Sequence, residues 1–133
     1  MLAIPADRDG RRAVVKLSER PAPITMASLK VLLQLVQARL STGQVHKLDL
    51  GGRDDRGFKA IAVLRNELKP AYAGDMKELI ANDQNGNYWL ADTVSIGQLD
   101  VERLRAFGNS TITTLASKIR SLLEAKEKFP GKG

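Results

Sequence analysis

Apolar residues recur along the chain at two different spacings, which predict a mixture of strands and helices. The β-branched run AVVKL at residues 13–17 predicts a strand. Pro21 and Pro23 restrict the next segment to extended structure or to an edge strand. Thr25 then occupies a helix N-cap position, and the apolar helix that it begins is predicted over residues 26–40.

The first predicted helix has a broad apolar face. Spacings of three and four residues bring together a set of aliphatic side chains, namely Leu29, Leu32, Leu33, Val36 and Leu40. Leu35 widens this face, so the helix is expected to be buried centrally, and Gly43 supplies a C-terminal stop. Its capping box is incomplete, because Ser28 occupies the position that prefers Glu or Gln.

The segment between residues 44 and 57 allows two interpretations. Val45, Leu48 and Leu50 fit either a short helix or a strand. The glycine-rich stretch GGRDDRG that follows lacks the GxxxxGK[ST] pattern of a phosphate-binding loop. We therefore expect no nucleotide site in this segment.

A second amphipathic helix is predicted over residues 58–69, and Pro70 ends it. Its apolar face is expected to meet the first helix and contains Phe58, Ile61, Leu64 and Leu68. The opposite face carries polar and small side chains, with Arg65 at its flank: Lys59, Ala62, Val63, Asn66 and Lys69.

A β-hairpin is predicted after the second helix. Its apolar runs are residues 76–81 and 87–90, and residues 83–87 form the turn, because the Asn-Gly pair strongly favours turns. Tyr88 and Trp89 are interpreted as core or strand-pairing residues, since alternate positions of a hairpin bury one side.

The C-terminal part is predicted to be mainly helical. Residues 93–96 form a short strand, residues 99–107 a short helix, and residues 111–128 a long helix capped by Ser110. Four apolar positions of the long helix fit heptad positions a and d, namely Ile112, Leu115, Ile119 and Leu122. This pattern predicts a weak homodimer whose interface includes Ile119 and Leu122. Docking of the same face on the chain's own domain is the open alternative.

The composition favours one globular domain and removes several kinds of site. The chain has 133 residues, 43% of them hydrophobic, and a net charge of +6. It contains no cysteine, which excludes disulfides, thiolate metal sites and cysteine nucleophiles. No apolar run approaches the roughly 20 residues that span a bilayer. Residues 1–10 lack a signal-peptide pattern and are predicted to be a flexible arm. We therefore expect a cytoplasmic protein with no membrane association.

Two stretches carry a resemblance to a known family. LRNEL at residues 64–68 is followed by LIANDQNGNYWL at residues 79–90. In this order they resemble the winged-helix output domains of two-component response regulators and related bacterial transcription regulators. Those domains end their recognition helix in a Leu-Arg-x-x-Leu run and continue into a hairpin with a Gly-x-Tyr-x-Leu strand. The matching residues here are Leu64, Arg65, Leu68, Ile80, Gly86, Tyr88 and Leu90.

The resemblance implies an α+β fold with a winged helix-turn-helix core. The core would cover residues 11–96, after the arm at residues 1–10 and before a helical C-terminal extension at residues 97–133. The family's second helix is expected near residues 45–50, where this sequence leaves room for a short helix at most. The implied function is a DNA-binding transcriptional regulator that uses a recognition helix and a wing hairpin.

The same resemblance implies a set of contacts with double-stranded DNA. Lys59, Arg65 and Lys69 would meet phosphates, and Asn66 could pair with adenine edges. Val63, beside Ala62, could contact a thymine methyl group. Contacts to the DNA backbone would also come from the preceding loop, through Arg53 and Arg56.

A protein-interaction module built on a winged helix that no longer binds DNA is the alternative. The polar turn at residues 83–87 and the apolar Val63 favour a protein partner, whereas the net positive charge favours DNA.

Catalysis finds little support in the sequence. His46 is the only histidine, and a lone histidine beside apolar residues is more often structural or solvent-exposed than catalytic. Asp54 and Asp55 lack a further carboxylate at ligand spacing, so a solvated charge pair is favoured over a metal site. No serine lies in a GxSxG elbow. We expect no enzyme activity, no metal and no cofactor.

Overall fold

The computed structural model describes residues 2–50, 56–72 and 74–128. Helices and strands together account for most of the chain, which confirms the α+β class. The strands are β1 (Leu2–Asp9), β2 (Arg12–Leu17), β3 (Arg20–Ile24), β4 (Val45–His46), β5 (Ile80–Asn82), β6 (Asn87–Leu90) and β7 (Ile96–Leu99). The helices are α1 (Met26–Arg39), α2 (Lys47–Leu50), α3 (Arg56–Leu68), α4 (Val101–Arg105) and α5 (Ser110–Lys128). Two 3-10 turns, Lys69–Ala71 and Met76–Glu78, connect α3 to β5.

The first sheet has four strands in the order β3-β2-β1-β7, and its last pair is parallel. The edge position predicted for the proline segment is confirmed, because β3 pairs only with β2 in this sheet. Proline lacks the N–H that a second neighbouring strand would require, so Pro21 and Pro23 are tolerated at this edge.

The flexible arm predicted at residues 1–10 is wrong for residues 2–9, which form β1. Leu2 and Ile4 are 1% and 0% exposed and belong to the core. β1 forms an antiparallel hairpin with β2, in which Leu2 pairs with Leu17 and Asp9 with Arg12, and its other edge lies in parallel beside β7. The strand β7 also begins later than predicted, because residues 92 and 93 form a turn.

The second sheet has three antiparallel strands in the order β4-β6-β5. The hairpin of β5 and β6 was predicted to begin at residue 76, but Met76–Glu78 is a 3-10 turn. The carboxylate of Asp75 caps this turn by accepting a hydrogen bond from the backbone N–H of Lys77 at 2.9 Å. Val45 and His46 form β4, and α2 begins at the next residue, so both interpretations of this segment hold in part.

Helix α1 lies at the centre and packs against α3 on one side and α5 on the other. The leucine face predicted for it is confirmed, since Leu29, Leu32, Leu33 and Leu35 are at most 1% exposed. Gly43 has a φ of 96° and its N–H donates to the Ala38 carbonyl, which ends the helix as predicted.

The predicted cap of the long helix is wrong by one residue. The side-chain oxygen of Asn109 accepts hydrogen bonds from the N–H groups of Thr111 and Ile112 at 3.0 and 3.2 Å, and Ser110 already belongs to α5. Asparagine is as good a cap as serine, and Gly108 supplies the left-handed residue just before it, with a φ of 72°.

The N-terminus of α1 is completed by a residue from α3. Thr25 is the N-cap as predicted, and its hydroxyl accepts a hydrogen bond from the Ser28 N–H at 3.3 Å. The missing glutamate of the capping box comes from Glu67, whose carboxylate accepts from the Thr25 N–H at 2.6 Å and from the Ser28 hydroxyl at 2.9 Å. We refer to these three residues as the Glu67 clamp. It satisfies two backbone donors at the start of α1, the N–H groups of Thr25 and Ser28, and holds a second helix against it.

Replacing Glu67 with Ala should destabilise the fold by about 1–3 kcal/mol, because hydrogen bonds to a charged acceptor are lost around Ser28, which is 2% exposed. Glu67→Gln retains one acceptor oxygen and should cost less. Urea denaturation followed by circular dichroism measures both. The matched control is Glu124→Ala at an exposed position of α5, which should stay within about 0.5 kcal/mol of the parent. Equal effects at the two positions would refute the role of the clamp.

Candidate nucleic-acid interface

One face of α3 stays exposed after the helix packs on the core. Its 3.6-residue period turns Ile61, Leu64 and Leu68 inward, where they are at most 1% exposed. The predicted outer residues are all exposed: Lys59, Ala62, Val63 and Asn66 on α3, and Lys69 in the 3-10 turn that follows. Val63 is 49% exposed, which is unusual for a large hydrophobic residue in this structure.

Arg65 has a structural role instead of the predicted phosphate contact. Its Nη2 donates to the Ile80 carbonyl at 2.5 Å and to the Asn82 side-chain oxygen at 3.1 Å. The guanidinium carbon lies 6.0 Å from the ring centre of Tyr88. Burial lowers the pKa of Arg65, and the nearby Tyr88 partly offsets this effect. Arg65 therefore ties α3 to the edge strand β5 of the hairpin and is not presented to a ligand.

The two arginines predicted in the preceding loop cannot be placed on the surface. Arg53 lies outside the described residues, as do Asp54 and Asp55. Arg56 begins α3, but its side chain also lies outside what the structure describes.

The hairpin turn is organised by one carboxylate. Asp83 accepts hydrogen bonds from the backbone N–H groups of Asn85 and Asn87 at 2.8 and 3.0 Å, and from the side-chain amide of Asn87 at 2.9 Å. Gly86 adopts a φ of 86°, as the Asn-Gly signature predicted. The Nε2 of His46 donates to the Asn85 carbonyl at 3.0 Å, so the ring connects β4 to the turn.

Tyr88 and Trp89 lie on opposite faces of β6. Tyr88 is 4% exposed and belongs to the core, which confirms its interpretation as a core residue. Trp89 is half-buried and stands opposite Ala81 in the strand pair. The alternation of β6 therefore buries one aromatic ring and leaves the other at the surface.

A groove that the sequence did not predict runs beside α3. We name it the α1–α3 groove, and it is lined by Ala27, Ser28, Lys30, Val31, Leu50, Lys59, Ala60 and Val63. Only Val63 and Lys59 among these were proposed as site residues. The four-residue spacing of Ala27 and Val31 hinted at a shared face, but the groove depends on how α1 packs against α3.

The heptad positions of α5 do not form an exposed interface. Ile112, Leu115 and Ile119 are 0%, 8% and 0% exposed because they pack in the chain's own core. Leu122 is half-buried beside Gln37 of α1. The dimer interface predicted through Ile112, Leu115 and Ile119 is therefore wrong, and the alternative of docking on the same domain describes α5.

Among the residues that the structure describes, no group of three or more His, Asp and Glu side chains could hold a metal ion. None of the described helices combines the length and the apolar character that crossing a membrane requires.

The pKa of Asp83 should lie below the ordinary value for aspartate, with the Asn87 side-chain amide as the main cause, followed by the Asn87 backbone N–H. The lowered pKa means that the turn is stabilised fully above the unfolded-state pKa. This stabilisation is lost as the pH falls through the folded-state pKa. Carboxyl NMR titration should detect the shift.

Two variants separate the causes of this shift. Asn87→Ala should raise the pKa of Asp83 toward the ordinary value, because it removes the side-chain amide. Asn85→Ala should leave the pKa unchanged, because Asn85 contributes only its backbone N–H. Equal titration curves for the two variants would contradict the assignment.

Comparisons with known protein families, with curated proteins and with solved structures found no match to this chain. Similarity therefore assigns no family.

Proposed function

We propose that the chain is a winged-helix module that binds double-stranded DNA and regulates transcription. The element order α1-β4-α2-α3-β5-β6, with the sheet order β4-β6-β5, supports the winged-helix assignment. The single observation that carries the function is the exposed face of α3. It presents Lys59 and Asn66 beside a hairpin, Lys69 follows in the 3-10 turn, and none of these exposed side chains serves the core.

The chemistry of this face suits a duplex. Helix α3 has 13 residues and is about 20 Å long, and a major groove about 12 Å wide admits such a helix. Lys59 and Lys69, ten residues apart, would neutralise phosphates. Asn66 lies between them and would offer its amide to the adenine edge.

The overall charge supports the same function. A net charge of +6 attracts a polyanion, and phosphate contacts release condensed counterions, so the affinity should fall as salt is added. DNA binding requires access to DNA, so we infer a cytoplasmic location. The absence of cysteine fits a reducing compartment.

A protein-interaction module is the second candidate. The turn at residues 83–87 carries no cation for a DNA groove, and Arg65 is engaged by the hairpin. Val63, 49% exposed, is the side chain that most favours a protein partner.

Lys59→Ala and Lys69→Ala should each weaken binding to any duplex and reduce the salt slope by about 0.9, because each removes one phosphate contact. Asn66→Ala should instead alter sequence preference, at a cost of about 1–3 kcal/mol for a preferred site. Fluorescence anisotropy with a random-sequence duplex at several salt concentrations measures the first effect. A selected-sequence library measures the second.

Lys118→Ala is the matched control, because Lys118 is an exposed lysine on α5 and not on α3. It should leave the affinity close to that of the parent. A parent protein that binds no duplex at low salt would remove the DNA proposal and favour the interaction module. A control that weakens binding as much as Lys59→Ala would show that only total charge matters.

A further inference from the structure

The α1–α3 groove has an apolar floor and a cationic rim. Val31 and Leu50 form part of its lining and are 3% and 7% exposed. Ala27 and Ala60 are too short to fill the space between α1 and α3, so a depression remains between the two helices. Val63 borders this depression and is 49% exposed.

The charged residues in the described lining of the groove have one sign. Lys30 and Lys59 belong to it, and none of the eight described lining residues is acidic. The nearest carboxylate on α3, that of Glu67, is hydrogen-bonded to Thr25 and Ser28 in the clamp. An occupant therefore has to offer apolar side chains to the floor and negative charge to the rim.

We propose that the α1–α3 groove docks an acidic amphipathic helix of a protein partner. Helix-in-groove recognition places apolar side chains at positions i, i+3, i+4 and i+7 against an apolar groove. Glutamate or aspartate residues flanking that stripe would pair with Lys30 and Lys59. The partially exposed pairs would contribute mainly to orientation and to the rate of association.

Other occupants satisfy only part of these requirements. A nucleic acid supplies negative charge, but its backbone has no apolar ridge for a floor of alanine, valine and leucine. A second copy of this chain carries the same net charge of +6. Repulsion at the lysine rim disfavours that arrangement.

The docking proposal does not depend on DNA binding, although the two proposals share residues. Lys59 and Val63 line the groove and also belong to the exposed face of α3. A helix seated in the groove would cover both side chains. If the protein also binds duplex DNA, the helix and the duplex should therefore compete.

The test uses a designed helical peptide of about 18 residues with leucine at the i, i+3, i+4 and i+7 positions and glutamate on both flanks. A matched peptide carries lysine in place of each glutamate. Both are titrated into ¹⁵N-labelled full-length protein and followed by amide NMR. The acidic peptide should shift the amides of Ala27, Val31 and Ala60, and bind at least tenfold more tightly than the basic peptide.

Paired variants locate the contact. Val63→Ser should weaken binding of the acidic peptide by about tenfold. Ala62→Ser lies on the same exposed surface but outside the groove lining and should have little effect on that affinity. Lys59→Ala should weaken binding more than Lys69→Ala, because only Lys59 lines the groove. If Val63→Ser loses the dispersed amide spectrum of a folded protein, the comparison of Lys59→Ala with Lys69→Ala decides the outcome.

Several results would overturn the proposal. These are equal binding of the two peptides, equal effects within each variant pair, or amide shifts confined to α5. Sedimentation that shows a dimer dissociated by Val63→Ser would assign the groove to a second copy. DNA binding is measured separately by anisotropy, so a protein that binds the acidic peptide and no duplex would retain this inference and lose only the DNA function.

Discussion

The Glu67 clamp is the contact on which the arrangement of the helices depends. Helix α1 packs against both α3 and α5, and Ser28 in its first turn is 2% exposed, so the polar side chain of Ser28 needs a partner within the protein. The carboxylate of Glu67 supplies the missing acceptors, and its bond to Ser28 also fixes one edge of α3. Ser28 lines the α1–α3 groove as well, so the clamp closes the groove at one point.

Two arginines connect the helices to the second sheet and the segment after it through hydrogen bonds to backbone carbonyls. Arg39 of α1 donates to the carbonyls of Leu90, Ala91 and Val94, which hold the chain as it leaves β6. Arg65 satisfies the Ile80 carbonyl of the edge strand β5. Both side chains contribute to the net charge, but neither is available to a polyanion. The net charge therefore overstates the number of cations that could contact a duplex.

The elements that were predictable from the sequence are those with local causes. The periodic leucines of α1, the Thr25 cap and the Asn-Gly turn each depend on residues within a few positions of one another. The strand β1 also has a local partner, since it pairs with β2 across the turn at Gly10, but the Asp-Gly signal of that turn was overlooked. The acceptor for the Thr25 N–H was missed because Glu67 lies 42 residues away. The sequence predicted the apolar face of α5, but a heptad pattern does not determine whether that face packs against another chain or against α1.

The exposed face of α3 divides into two adjacent surfaces. At about 100° per residue, Ala62 and Lys69 lie on the side away from the groove, and Val63 and Ala60 lie on the groove side. Lys59 and Asn66 lie between them. The outer side is small and polar, which suits the edge of a base or a phosphate. The groove side is apolar with a lysine rim, which suits an acidic helix. Because Lys59 belongs to both surfaces, occupation of one changes the charge that the other offers, and this shared lysine is the physical link between the two proposed partners.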